Sequence, residues 1–343
     1  AMYCSLLAAG QRARGEVDRA LLEALGADYA AETGAPLEAA DLATPWRRLL
    51  WPFAMAHPEV VVRRRLAYAP GGRRFELDVY HHRDLPRGRP VLLQVHGGAW
   101  IIGNKDQQGI PLMMQMAAAG WVCVAINYPL SPRSKWPAHL VAVKRAVAWI
   151  REHIGEYGGD PAFIAVTGGS AGGHLAAMAA LTAGDTTLQP GFEEVDTSVQ
   201  ACVPHYGVYD FTDESGQPFA TARLDSLIRR WIMAPDAVYP DDYRAASPIS
   251  RIGDVVPPFF VVHGSTDTLV PVLEARVFVD KLRSASSNPV AYAELHGAQH
   301  AFDVFPSVRS AHVVRGVQQF LEWTYARASA SSPPGTPTAS GPG

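Results

Sequence analysis

The fold is decided by the stretch Phe163-Ile164-Ala165-Val166-Thr167-Gly168-Gly169-Ser170-Ala171-Gly172-Gly173-His174-Leu175. Its first four residues are apolar, which is typical of a central strand that is buried on both faces. The five residues 168–172 match the pattern G-x-S-x-G, and a helix is predicted to begin near Ala171. Glycines on both sides of a serine let the backbone turn sharply and leave the hydroxyl accessible. The stretch therefore predicts a strand, a tight turn that presents Ser170, and a helix.

Similar apolar runs alternate with helical patterns along most of the chain. The strand-like runs lie at 75–80, 91–95, 122–126, 199–203, 259–262 and 290–295. Apolar residues at helical spacing lie between them, at 112–118, 140–154, 174–181 and 273–282. This alternation predicts βαβ units and an α/β fold with a mostly parallel central sheet flanked by helices. In such a sheet the functional loops follow the carboxyl ends of the strands.

The composition narrows the classes of function. The chain has 343 residues, of which 48% are hydrophobic and 18% charged, with a formal net charge of −3. We therefore expect a globular protein with a large core that does not bind nucleic acid. No stretch approaches the ~20 apolar residues of a membrane-spanning helix, so no integral membrane segment is expected. A homodimer is compatible with the sequence, and so is a cytoplasmic or cell-associated location.

The cysteines and histidines indicate neither a disulfide framework nor a metal site. Cys4, Cys123 and Cys202 are odd in number and widely separated, which suits a reducing compartment. The spacing His296 to His300 includes Gly297, which disfavours the helix that would present both rings to one ion. No metal and no cofactor are expected.

A serine hydroxyl becomes a good nucleophile only when an oriented imidazole takes its proton and an acid holds that imidazole. The run 259–262 leads into a turn that ends at Asp267, and the run 290–295 leads into a loop that contains His300. Both residues follow predicted strands and are expected at the same edge of the sheet as Ser170. The order serine, acid, histidine is the one that this type of turn requires. His296 is the alternative base.

The developing negative charge on an ester carbonyl needs N–H donors. Val95-His96-Gly97-Gly98-Ala99-Trp100 follows a central strand, and such a glycine-rich loop supplies these donors together with the residue after the nucleophile. This loop and the turn at Ser170 together predict an oxyanion hole.

The chain resembles the hormone-sensitive-lipase group of α/β-hydrolases, and particularly its bacterial lipase and esterase members. The resemblance covers roughly residues 60–325. The motifs that carry it are His96-Gly97-Gly98-Ala99-Trp100, Asn127-Tyr128-Pro129-Leu130-Ser131-Pro132, Gly168-Gly169-Ser170-Ala171-Gly172-Gly173-His174-Leu175, Gly264-Ser265-Thr266-Asp267 and His300-Ala301-Phe302. Two positions depart from the group: Ala99 replaces a usual glycine, and Pro129 replaces a common arginine.

The resemblance implies an α/β-hydrolase fold with a helical cap. Its site residues carry over to Ser170, Asp267 and His300 as the catalytic triad, to Gly98, Ala99 and Ala171 as oxyanion donors, and to Trp100 and Tyr206 as substrate-binding residues. The implied organisation is N-terminal cap helices in residues 1–55 and a catalytic domain in 56–325. A cap insertion is expected at about 207–250, and a disordered tail at 326–343.

The function that follows is hydrolysis of carboxylic esters of short to medium acyl chains through an acyl-enzyme, with a small-molecule ester as the partner. One alternative is an amidase, specifically an arylformamidase, because those enzymes carry similar His-Gly-Gly-aromatic loops and the same triad. A second alternative is a non-catalytic α/β-hydrolase that binds a ligand. The complete set of triad residues favours the enzyme.

Overall fold

A sheet of eight strands forms the centre of the part of the chain that the structure describes, which is residues 2–32, 55–212, 214 and 224–331. The structure is a computed structural model. The strands are β1 (Val60–Ala67), β2 (Glu76–His82), β3 (Arg89–Val95), β4 (Val122–Ile126), β5 (Gly159–Gly169), β6 (Ala201–His205), β7 (Phe259–Gly264) and β8 (Val290–Leu295). Their order across the sheet is β1-β2-β4-β3-β5-β6-β7-β8. The pairs β1–β2 and β2–β4 are antiparallel, and the other five pairs are parallel.

Helices cover both faces of the sheet, as the alternation of patterns predicts. The helices are α1 (Met2–Leu25), α2 (Tyr29–Glu32), α3 (Ile110–Ala118), α4 (Ala138–His153), α5 (Ala171–Leu181), α6 (Asp241–Ala245), α7 (Val272–Ala285) and α8 (Val308–Ser331). One apolar layer contains buried residues of α4, α5 and α7, and the other contains buried residues of α1, α3 and α8. This architecture confirms the predicted α/β-hydrolase fold class.

The N-terminal helix differs from the expected cap. Its buried residues Ala13, Val17 and Leu21 belong to the same apolar layer as α8 and one face of the sheet. Asp18 also pairs with Arg315 of α8 at 2.7 Å. The described part of residues 1–55 therefore belongs to the core, because the apolar side of α1 packs in the same layer as α8. The rest of that segment, 33–54, lies outside the described residues.

The insertion after β6 contains helical turns. Residues 224–227 are helical and lead into a π-helical turn, Ile228–Ile232, and α6 follows. Leu224, Ile228 and Ile232 pack into the α4–α5 layer. At the other end of the chain α8 continues to Ser331, so the prediction that disorder begins at 326 is wrong. The residues 332–343 lie outside the described part.

Register brings the predicted functional loops together. Val95 at the end of β3 pairs with Gly168 of β5, and Gly169 pairs with His205 at the end of β6. The loop after β3, the turn after β5 and the segment after β6 therefore leave one edge of the sheet as neighbours. Further along that edge, Gly264 of β7 pairs with Leu295 of β8.

Candidate active site

Ser170 lies at the tight turn between β5 and α5. Its backbone has φ 58° and ψ −121°, a conformation that L-residues rarely adopt. The turn needs glycine at position 172, because a Cβ there would overlap the carbonyl oxygen of Val95. The N–H of Ser170 donates to the carbonyl oxygen of His205 at 3.0 Å, which fixes the turn to β6. The serine therefore stands at the amino end of α5, where developing negative charge is favoured.

His300 and Asp267 lie together at the ends of the last two strands. His300 Nδ1 is 2.7 Å from Asp267 Oδ2, and the Asp267 side chain is fully buried. The other carboxylate oxygen of Asp267 accepts from the backbone N–H groups of Leu269 and Val270, each at 2.9 Å. Since an ionised carboxylate only accepts, the proton of this pair sits on Nδ1 of His300, and Nε2 is left as the basic nitrogen.

The electrostatics of this pair favour an ionised acid. Burial by itself raises the pKa of the Asp267 carboxyl, but hydrogen bonds from His263 and His300 outweigh it and hold that pKa well below its usual range. His263 Nε2 lies 3.4 Å from Asp267 Oδ2. Asp267 thus stays negative through the neutral range and can stabilise a positively charged imidazole.

The loop after β3 lies directly beside Ser170. A Cβ built on Gly97 would be 3.2 Å from the Cβ of Ser170. The N–H groups of Gly98 and Ala99 have no hydrogen-bond acceptor among the described residues. Ala171 is the first residue of α5, and the first N–H groups of a helix have no intrahelical acceptor. The three predicted oxyanion donors therefore follow Gly97 or Ser170 closely in the chain, and their role stays a prediction.

Buried polar groups hold that loop in place. Gly97 donates its N–H to Gln108 Oε1 at 2.7 Å, and Tyr128 Oη donates to the carbonyl oxygen of His96 at 2.9 Å. The ring of His96 stacks on Tyr128, and burial lowers the pKa of His96 to about 4. The neutral imidazole of His96, stacked on Tyr128, therefore stabilises the loop after β3.

The alternative base, His296, lies elsewhere. It is exposed, and its backbone N–H donates to a carboxylate oxygen of Glu16 in α1 at 3.2 Å. The carboxylate of Asp267 is bonded to His300 instead. The geometry favours His300 as the partner of Asp267.

Comparisons with known proteins place the chain in a family. The family model BD-FAE matches residues 77–282, which is more than half of the chain. The chain belongs to the BD-FAE family. The expected resemblance to the hormone-sensitive-lipase group is confirmed as well. The matched range contains the oxyanion loop, Ser170 and Asp267.

Two relatives of the chain come from Mycobacterium tuberculosis. The chain is 52% identical to the probable carboxylic ester hydrolase LipM over 79% of this chain and 63% of LipM. It is 51% identical to the esterase LipQ over 76% of this chain and 62% of LipQ. The chain thus spans about three fifths of the length of these two relatives.

A solved structure shows the same fold. It is an esterase from the planctomycete Thermogutta terrifontis with butyrate bound, with a TM-score of 0.60 and 25% identity. The match covers 81% of this chain and 95% of that one.

The two residues predicted to bind substrate are both buried in this BD-FAE chain. Trp100 is 1% exposed, and its indole N–H donates to His174 Nδ1 at 3.3 Å. Tyr206 is 3% exposed, and its hydroxyl donates to Asp303. Neither side chain offers much surface to a ligand in this structure, so their substrate-binding role stays a prediction.

Backbone strain is concentrated around the site. Seven non-glycine residues in the described part have positive φ, and five of them are in the candidate site. These five are Ala99, Trp100, Ser170, Tyr206 and Ala301, with φ of 53°, 58°, 58°, 36° and 58°. Such conformations cost on the order of 1–3 kcal/mol each and persist where function requires them. The site is therefore built from loops that the surrounding core holds in unfavourable geometry.

Two residues at the site were not identified from the sequence. His205 and Asp303 form a second histidine–carboxylate pair, with Nδ1 and Oδ2 2.6 Å apart. The one signal in the sequence was the closeness of Asp303 to His300 in the segment His300-Ala301-Phe302-Asp303. No group of three or more His, Cys, Asp or Glu suited to a metal occurs among the described residues.

Proposed function

We propose that the chain is a carboxylic ester hydrolase that works through an acyl-enzyme on Ser170. The observation that carries the proposal is the 2.7 Å hydrogen bond from His300 to the buried Asp267, at the sheet edge that also carries the strained Ser170 turn. The names of the relatives from Mycobacterium tuberculosis support ester hydrolysis as the reaction.

In the first half of the reaction, Ser170 Oγ attacks the ester carbonyl carbon while His300 Nε2 takes the hydroxyl proton. The carbonyl oxygen becomes an oxyanion that accepts from the N–H groups of Gly98, Ala99 and Ala171. The tetrahedral intermediate then expels the alcohol, which leaves with the proton from His300. Asp267 stabilises the imidazolium that forms in between.

In the second half, a water molecule attacks the acyl-enzyme. His300 takes a proton from that water, and the same three N–H groups stabilise the second oxyanion. The carboxylic acid product leaves as His300 returns the proton to Ser170 Oγ.

We expect the preferred acyl chains to have roughly two to eight carbons. The basis for this expectation is the methyl group of Ala99 in the loop after β3, where related enzymes usually have glycine, and the insertion after β6, whose Phe211 packs against Trp100 of that loop. The butyrate bound in the Thermogutta esterase supports a short acyl site. Each buried methylene contributes about 0.8 kcal/mol, so kcat/KM should rise with chain length until the pocket is full and then fall.

The test is a series of p-nitrophenyl esters from two to sixteen carbons, with N-formylkynurenine as the amide substrate. An optimum among the short and medium esters, with slower turnover of N-formylkynurenine, is the expected result. Faster hydrolysis of N-formylkynurenine would show an arylformamidase instead. A rate that still rises at sixteen carbons would refute the size argument, and no turnover across the panel would favour a ligand-binding protein.

A further inference from the structure

A cluster of three polar residues lies beside the proposed triad without belonging to it. We call it the Asp303 cluster, and its members are His205, Tyr206 and Asp303. His205 Nδ1 donates to Asp303 Oδ2 at 2.6 Å, and Tyr206 Oη donates to Asp303 Oδ1. Both oxygens of the carboxylate are thus held by neighbours at the end of β6. The reaction described above assigns these residues no task.

Tyr206 contacts both the proposed base, His300, and the turn that carries Ser170. Its ring centroid is 4.8 Å from that of His300, with 61° between the planes. It also contacts Phe302, at 5.4 Å between centroids. On the other side, a Cβ built on Gly169 would lie 2.7 Å from Tyr206 Oη. The tyrosine therefore packs against the imidazole and against the residue before Ser170.

Backbone hydrogen bonds fix Tyr206 and its neighbour His205 to the elements on either side of β6. The N–H of Tyr206 donates to the carbonyl oxygen of Val262 in β7 at 2.7 Å, and its neighbour His205 accepts from the N–H of Ser170 at 3.0 Å. Its φ of 36° is unfavourable for a residue with a side chain. Strain of this kind persists only where surrounding contacts require it. The phenol is thus held at a defined position relative to both β5 and β7.

The protonation states suit a strong hydrogen bond. Burial raises the pKa of the Tyr206 hydroxyl well above its usual value, and the charge of Asp303 raises it further. Burial by itself raises the pKa of Asp303, but hydrogen bonds from His205 and Tyr206 outweigh it and lower that pKa. At neutral pH the pair is a protonated phenol and an ionised carboxylate, which form a short, charge-assisted bond.

The hydrogen bond to Asp267 holds His300 at one atom only. That bond fixes Nδ1, but small changes in the side-chain torsions of His300 could still shift Nε2 from the position that the proposed proton transfer requires. A flat aromatic ring 4.8 Å away restricts this shift. The restriction is effective only if the aromatic ring is itself anchored.

We propose that Asp303 and Tyr206 are positioning residues for His300: the carboxylate anchors the phenol, and the anchored ring keeps Nε2 of the imidazole aimed at Ser170. This inference rests on the proposed serine hydrolase function. It assigns Tyr206 a part in catalysis in place of the predicted contact with substrate. It also explains why a second histidine–carboxylate pair is built next to the first.

The test compares Tyr206→Phe and Asp303→Asn with wild type on p-nitrophenyl acetate. Tyr206→Phe keeps the ring and removes only the anchoring hydroxyl. We expect kcat to fall about 10-fold in each variant with KM within about twofold, because misplacement of a reacting group slows the chemical step. The rate of reaction with a fluorophosphonate should fall by a similar factor. The double variant should be no slower than the slower single variant, since both changes break one bond.

Tyr292→Phe is the matched control. Tyr292 Oη also donates to a carboxylate, Glu294, at 2.9 Å, but both residues lie on β8. This variant should keep wild-type kcat, while melting temperatures show whether each variant is folded.

Three outcomes would overturn the inference. The first is wild-type kcat in Tyr206→Phe together with loss of activity in Tyr206→Leu, which would mean that packing suffices without the anchor. The second is a raised KM with unchanged kcat, which would make Tyr206 a substrate contact. The third is a multiplicative loss in the double variant. If wild type itself neither hydrolyses esters nor reacts at Ser170, the proposed function fails instead.

Discussion

Asp267 is a fully buried carboxylate with hydrogen-bond partners on both oxygens. His300 and two backbone N–H groups contact it within 2.9 Å, and His263 lies at 3.4 Å. These donors lower its pKa, although burial opposes them. Loss of the negative charge at this position would leave His300 without the acceptor that fixes its tautomer. The residue therefore acts through His300 and has no surface of its own to offer a substrate.

Replacement of the proposed acid and base should abolish most of the turnover. We expect Asp267→Asn and His300→Ala each to lower kcat by on the order of 10³–10⁴-fold. The Asp267→Asn/His300→Ala double variant should be little worse than the more damaging single variant, because the residues act as a unit. Steady-state kinetics on a short p-nitrophenyl ester measure both effects.

His296→Ala is the control for this experiment. Its side chain is exposed, and its backbone binds Glu16 of α1, so the variant should keep most of the wild-type kcat. If His296→Ala abolished turnover and His300→Ala did not, the assignment of the base would be wrong.

The proposed triad could be predicted from the sequence because each of its residues follows an apolar run. Ser170, Asp267 and His300 all come directly after runs that are strands in the structure. Asp303 gave no such signal. Tyr206 does follow the run 199–203, but nothing in the sequence pairs it with Asp303, which is 97 positions away and is brought next to it only by the fold. The sequence did not indicate His205 either, because the apolar run ends at Val203, whereas β6 continues through Pro204 to His205.

The turn between β5 and α5 requires close contact between the backbones of neighbouring elements. Gly172 is helical, and alanine normally stabilises such a position by about 1 kcal/mol. A Cβ at Gly172 would nevertheless overlap the carbonyl oxygen of Val95 in β3. We expect Gly172→Ala to lower the free energy of unfolding by about 1–3 kcal/mol, as measured by urea denaturation.

Gly184→Ala serves as the matched change for that measurement. A Cβ on Gly184 meets nothing within 4 Å, so the stability of this variant should stay within about 0.5 kcal/mol of wild type. Equal stability of the two variants would contradict the close approach of α5 to β3.

Whether a segment forms a helix or a strand was easier to predict than which other elements it packs against. The strands β3, β4 and β7 lie where the apolar runs indicate, because each is buried on both faces and no alternating pattern competes. The amphipathic spacing of α1 predicts a helix that needs a partner surface, but it does not say which surface. The structure gives α1 a place beside α8, where Val17 and Phe320 belong to one apolar layer.

The whole molecule buries several histidines in its two apolar layers and near the site. Burial lowers the pKa of His96 and His139 to about 4 and that of His174 to about 3. All three are at most 1% exposed. The folded protein therefore keeps them neutral at pH values where the unfolded chain would protonate them.

This burial makes the stability depend on pH. An unfolded histidine binds a proton near pH 6.5, while these three do so only near pH 3–4 in the folded state. Their contribution to stability is thus complete above pH 6.5 and is lost as the pH falls toward 4. Glu322 has the opposite effect on the pH dependence of stability, because burial raises the pKa of its carboxyl. We expect the free energy of unfolding to fall by about 3 kcal/mol per pH unit between pH 6 and 4.5.

Urea denaturation at several pH values measures this slope. His139→Gln removes one of the three histidines and should reduce the slope by about 1 kcal/mol per pH unit, whatever its effect on the stability itself. A stability that is flat from pH 6.5 to 4.5, or that rises as the pH falls, would show that these histidines are not held neutral.

Ser170 is the proposed nucleophile, and labelling with a fluorophosphonate identifies the reactive serine. Peptide mapping by mass spectrometry should find one adduct per wild-type chain, on Ser170. Ser170→Ala should lose both the adduct and ester hydrolysis while it keeps its melting temperature, because alanine fits the same turn. Ser284→Ala, a change on the exposed face of α7, should react like wild type. An adduct on another serine, or near-wild-type hydrolysis by Ser170→Ala, would contradict the account.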